Sequence, residues 1–120
     1  MILKVQRKKV SGDPRHQLGA LAEANALELL IKNGWYVFFP FRKTGPVDLF
    51  AIHPDGTELK LDIKSDRMRP PYGRRLNPSR IHRKLSPLQK RLGIFIGYSN
   101  VEKKTLHISR GRRSTPIRLE

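Results

Sequence analysis

Residues 45–65, GPVDLFAIHPDGTELKLDIKS, constrain the fold more than any other stretch of the chain. Two runs of strand-forming residues, 47–53 and 57–64, flank Pro54-Asp55-Gly56, a strong turn signal. The stretch is therefore predicted to be a β-hairpin. In its second run Leu59, Leu61 and Ile63 alternate with Glu58, Lys60, Asp62 and Lys64. A side-chain period of two then puts Asp62 and Lys64 on one polar face. With a three-residue loop His53 faces Thr57, and Asp48 falls opposite Asp62 on the same face, their Cβ atoms roughly 4.5–5.5 Å apart. A two-residue loop would send the carboxylates to opposite faces, so the odd loop length decides the outcome.

Two carboxylates facing each other across a ladder repel, and a shared site pushes one pKa up. A hard divalent ion removes the conflict, because Mg²⁺ is typically held by one or two carboxylates together with waters and phosphate oxygens. A lysine two residues beyond the second acid completes the outline of a phosphodiester-cleaving site.

The chain before the hairpin supplies a third acid. Asp13-Pro14 is a good helix start, with Asp13 as the cap, and Asn33-Gly34 a good stop. On the helical wheel Asn25, Glu28 and Lys32 form a polar side, while Leu18, Ala22, Ala26, Leu27, Leu29, Leu30 and Ile31 cover most of the rest. Glu23 falls inside the apolar arc, where a carboxylate needs a partner. That partner is either a buried lysine or arginine, or the metal site formed by Asp48 and Asp62.

Asp48, then Asp62-Ile63-Lys64 on the next strand, with Glu23 on a preceding helix, resembles the PD-(D/E)XK nuclease superfamily over residues 19–64. Here Pro46 stands one residue further from the first aspartate than in the usual pattern, and Asp62 takes the place more often held by glutamate. The resemblance implies a single α/β domain with a restriction-endonuclease-like core, a central mixed β-sheet flanked by helices. It also implies Mg²⁺ as cofactor, with Mn²⁺ able to substitute. Asp48, Asp62, the backbone carbonyl of Ile63 and Glu23 would hold the metal, and Lys64 would orient the attacking water. Gln89, on a short helix predicted from Pro87, matches an auxiliary glutamine of several branches; a solvent-facing glutamine is the other reading. A solvated strand lysine is likewise the other reading of Lys64.

Small size and basic flanks make the archaeal- and phage-type Holliday junction resolvases the most similar members. That likeness implies a homodimer acting on branched DNA such as a four-way junction. It places the protein in the cytoplasm of a prokaryotic, archaeal or phage-infected cell. Homing or intron-associated endonucleases and replication-repair nucleases of the same superfamily are the near alternatives. A catalytically silent basic DNA- or RNA-binding protein on the same fold is the alternative from another class.

Charge agrees with a polyanionic partner. The net charge is +15, from 25 Lys+Arg against 10 Asp+Glu, and such self-repulsion is tolerated when nucleic acid neutralises it. The predicted contacts begin in a basic arm over residues 1–12, with Arg7, Lys8 and Lys9. Arg42 and Lys43 lie in the loop before the hairpin. From Arg67 to Arg91 there are nine lysines and arginines and no acid. Within it, a basic loop over 66–85 is predicted to grip phosphates through Arg67, Arg69, Arg74, Arg75, Arg80, Arg83 and Lys84. Tyr72 is available there to stack on an exposed base. A disordered linker is the other reading of this loop.

The remaining chain gives an apolar strand over 35–41, a buried-type strand over 94–98 and an edge strand over 105–109. The domain is expected to span 13–110, with 111–120 as a second basic tail. No cysteine is present, which excludes disulfides and cysteine-based zinc sites, and His16, His53, His82 and His107 lack ligand spacing. No apolar run approaches the ~20 residues of a membrane span, and the expectation is a soluble intracellular protein.

Overall fold

The first helix, α1 (Pro14–Lys32), ends where the sequence puts its stop. The Trp35 N–H donates to the Leu30 carbonyl at 2.9 Å and the Gly34 N–H to Ile31 at 3.0 Å, using carbonyls that the helix end leaves unpaired. This computed structural model describes residues 14–71, 73, 77–110 and 115–120. The predicted arm over 1–12 with Arg7, Lys8 and Lys9, the Asp13 cap, and Tyr72, Arg74 and Arg75 lie outside the described residues.

Strand β1 (Tyr36–Phe38) is shorter than the apolar run over 35–41, because Pro40 cannot donate to a ladder. Strands β2 (Leu49–Ile52) and β3 (Glu58–Ser65) form the hairpin. A small ribbon of β4 (Met68–Arg69) and β5 (Ser79–Arg80) follows, so the basic loop carries regular structure of its own. Helix α2 (Pro87–Arg91), β6 (Ile94–Asn100), β7 (Thr105–Ser109) and β8 (Ile117–Leu119) complete the order.

The main sheet is mixed, in the order β1-β2-β3-β6-β7-β8, with β3 and β6 parallel and the other neighbours antiparallel. Its two faces differ. α1 packs on one of them, burying Ala22, Ala26, Leu29 and Leu30 against Leu49, Leu59, Leu61, Leu106 and Ile108. Fully burying a leucine contributes about 1.5–3 kcal/mol, so this layer carries most of the stability. Gly97 belongs to it: a Cβ there would stand 2.9 Å from Ile63 Cδ1 and 3.3 Å from Leu106 Cδ1, so a larger residue would make those side chains shift. Among the described residues the other face carries the five-residue α2 and the segment from Arg80 to Arg83, which meets Tyr98. The chain is thus an α/β domain with a mixed sheet flanked by one long helix and the short α2.

Three further expectations are corrected. Strand β7 is not an edge, because β8 pairs with it through Leu106↔Leu119 and Ile108↔Ile117. The domain therefore extends into the expected tail, with Leu119 buried. Asn25 is not on the solvent side of α1: it is buried, its Nδ2 donating to Ser99 Oγ at 2.9 Å and to the carbonyls of Asn100 and Thr105. Glu23, expected within the apolar arc, is exposed, because the strip that meets the sheet runs through residues 22, 25, 26, 29 and 30. Among the described residues no helix is long and apolar enough to cross a membrane.

Candidate active site

The hairpin turn sets the site. Gly56, at φ +93°, closes a three-residue loop in which the His53 N–H donates to the Thr57 carbonyl at 2.8 Å. Asp55 Oδ1 accepts from the Thr57 N–H at 2.8 Å and stiffens the corner. The strands then pair Ile52 with Glu58, Ala51 with Leu59 and Leu49 with Leu61. The regular pairing ends at Leu49↔Leu61; one residue earlier the Asp48 N–H donates to that same Leu61 carbonyl at 2.8 Å, so the chain departs from the ladder just where it presents Asp48 to β3.

The two carboxyl groups meet. Asp62 is 8% exposed, on the sheet face that α1 leaves free. Asp48 Oδ2 accepts the Ile63 N–H at 2.8 Å, and Asp62 stands near enough to raise the pKa of the Asp48 carboxyl. In a strand a residue's N–H and C=O point to the same edge. The Ile63 carbonyl therefore opens on the side from which Asp48 accepts.

Burial is the main reason that Asp48 is raised to about 6 from 3.8. The hydrogen bond from Ile63 opposes the rise; the hydrogen bond and charge of Asp62, and the charge of Glu23, add to it. A carboxyl that binds its proton more tightly folded than unfolded stabilises the fold at low pH, and that contribution disappears as pH rises from about 4 through 6. Unscreened, the gap would cost about 3 kcal/mol; at this half-buried site screening reduces it to about 1 kcal/mol. Asp48→Asn is therefore expected to raise the unfolding midpoint in EDTA at pH 7.5 and to leave it unchanged at pH 4. Denaturant titration at the two pH values checks this, and equal effects at both would contradict the raised pKa of Asp48.

Lys64 Nζ stands 3.5 Å from Asp62 Oδ1 with its side chain 44% exposed, so it is paired and still open to solvent. Gln89 reaches the site from the opposite side. Ser86 Oγ accepts from the Gln89 N–H while Gln89 Oε1 accepts from the Ser86 N–H, a capping box at the start of α2. The same side chain donates through Nε2 to the Pro46 carbonyl at 3.0 Å and to Asp62 Oδ2 at 3.3 Å. Its amide thus ties α2 to β3 and to the loop that leads into β2.

Glu23 lies across a cleft of about 400 Å³ that it shares with Phe39, Pro40, Lys43, Val47 and Asp48. Among the described residues no three His, Cys, Asp or Glu side chains converge closely enough to hold a metal by themselves. What the fold brings together is the Asp48–Asp62 pair, with Lys64 and Gln89 on Asp62 and Glu23 at a distance.

Comparison with known protein families, with curated proteins and with solved structures gives no significant match. The function has to be argued from the site itself.

The cations expected to bind nucleic acid divide into two groups. Arg42, Lys43, Arg67, Arg69, Arg83 and Lys84 are exposed. Arg80 is not free: its Nε and Nη2 donate to Asp66 Oδ1 and Oδ2 at 2.8 and 3.2 Å, and its guanidinium lies 5.1 Å from the Tyr98 ring centroid. It braces the β4–β5 ribbon against the sheet. Asp66 gave no sequence signal as a brace, because its partner comes from across the basic loop.

Proposed function

We propose that this protein is a metal-dependent DNA endonuclease of the PD-(D/E)XK type with a restriction-endonuclease-like core. Its closest functional likeness is to the Holliday junction resolvases. The observation that carries the reading is the apposition of Asp48 and Asp62 on a three-residue hairpin, with Lys64 at 3.5 Å from Asp62. The mixed order in which the hairpin is followed by a parallel strand supports it.

The donor set fits a hard divalent ion. Two neighbouring carboxyl groups, with Asp48 raised by burial and by Asp62 beside it, suit Mg²⁺ or Mn²⁺, which complete their shells with water and phosphate oxygens. Such an ion would be held by Asp48, Asp62 and the Ile63 carbonyl, and would supply Lewis acidity to the scissile phosphate and acidify a water. Lys64 orients the attacking water and offsets the negative charge that develops. Gln89 fixes the Asp62 carboxylate through a hydrogen bond anchored in the α2 cap. Glu23, across the cleft, positions a further water.

The charge of +15 supports DNA as the substrate. Two symmetric cuts in a four-way junction need two active sites, so the reading includes a C2 homodimer.

The test is a panel of four-way junction, flap, plain duplex and single strand, incubated with Mg²⁺, with Mn²⁺ and with EDTA. Metal-dependent cleavage with a preference for the junction is expected. Cleavage spread evenly over the panel would point to another small nuclease of the superfamily. Binding without cleavage in either ion would leave a catalytically silent nucleic-acid-binding protein.

A further inference from the structure

A second cleft is larger than the one beside Asp48. It has a volume of about 690 Å³ and opens over β6 and β7, between α2 and the segment that leads into it. That size falls within the range of small-ligand sites. Its rim carries Arg83, Lys84, Lys90 and Arg110, its floor is apolar through Leu85, Ile94 and Ile96, and none of its lining residues is acidic.

Register places this cleft on the catalytic face. Asp62 pairs with Ile96 and Lys64 with Tyr98 across the parallel β3–β6 ladder, and paired residues in adjacent strands share a face. The floor therefore begins one strand away from Asp62, roughly 5 Å across the sheet. Among the described residues none of the four rim cations is engaged in an ion pair, in contrast to Arg80. Four like charges around one hollow repel one another until an anion enters.

We propose that this cleft receives one unpaired nucleotide of the bound nucleic acid, with its phosphates on Arg83, Lys84, Lys90 and Arg110 and its base on the apolar floor. A base inside a duplex cannot reach such a floor, so the site selects strands with an unstacked nucleotide close to Asp62. The inference rests on the nucleic-acid reading above but not on catalysis. Lys90 and Arg110, outside the contacts expected from the sequence, become binding residues.

The experiment compares a labelled 5′-phosphorylated thymidine decamer with a ten-base-pair duplex by fluorescence anisotropy in EDTA, where no metal-dependent cleavage interferes. Lys90→Ala with Arg110→Ala should weaken binding of the single strand about tenfold and of the duplex less than about threefold, because only the former loses a built site. Amide shifts on adding thymidine 5′-monophosphate should concentrate at Ile94, Ile96 and Ser109. Equal losses on both oligonucleotides, or shifts confined to Arg67 and Arg69, would overturn the cleft while leaving the Asp48–Asp62 reading untouched. Selective loss of single-strand binding by a protein that cleaves nothing would uphold the cleft and sink the nuclease.

Discussion

The Asp62→Asn protein is expected to cut DNA at least about 10³-fold more slowly than the wild type in Mg²⁺ while holding it as tightly or more tightly. The side chain keeps its shape, so the contact with Gln89 and the hairpin register survive. What disappears is one of two anionic oxygen donors at the point where Asp48 and Asp62 meet, and with it the anion that Lys64 faces. Removing a negative charge from the binding surface also eases the approach of phosphate, so affinity does not fall. Single-turnover cleavage of a four-way junction, with anisotropy on the same junction in EDTA, separates the two quantities. Unchanged cleavage would remove Asp62 from the chemistry altogether, whereas parallel losses of cleavage and binding would make it a structural residue.

The second large effect concerns stability. Asp66→Ala is expected to cost about 3 kcal/mol, because breaking a buried ion pair from one side strands the other charge. The Asp66 side chain is 6% exposed and that of Arg80 24%, and their bidentate contact is backed by the Tyr98 ring. For a domain of this size such a loss lowers the melting midpoint by roughly 10 °C. The double variant Asp66→Ala with Arg80→Met should recover much of it, since no unpaired cation remains. Calorimetry on the single and double variants decides the matter. If Arg80→Met gives no recovery, the defect lies in the backbone around β4, where the Asp66 N–H donates to the Ser99 carbonyl.

The parts of the fold legible in the sequence were those fixed by local chemistry. Pro54-Asp55-Gly56 determined a three-residue loop, and the loop alone set which residues of β2 and β3 face each other. Asn33-Gly34 marked the end of α1 for the same reason. The register runs as far as Leu49↔Leu61; the approach of Asp48 depends on its off-register bond to Leu61 and its side-chain bond from Ile63, which no local pattern announces. Gln89 was also within reach, since Ser-x-x-Gln at Ser86 is a capping-box pattern that predicts where the glutamine side chain points.

The illegible parts depend on partners distant in the chain. Asn25 reads as a surface residue on any wheel, and only Ser99, which itself donates to the Ala22 carbonyl at 2.7 Å, makes its burial possible. Glu23 lies beside the buried strip rather than within it, a difference that depends on how α1 is rotated against the sheet. Strand β8 has three residues, too few for alternation to show, and the arginines around it give the composition of a tail. Arg80 counted as one more cation in a basic run until folding delivered Asp66 to it.

The parallel alignment of β3 with β6 also shapes how the chain acquires its structure. A hairpin such as β2–β3 closes within about 1–10 μs, whereas β6 can join only after residues 66–93 have folded back past it. Long-range closure of this kind is slow, and meanwhile the apolar middle of β3 offers an open edge to any neighbouring chain. An unbalanced charge of +15 keeps nascent molecules apart during that interval. The surplus of lysine and arginine thus opposes aggregation during folding through self-repulsion.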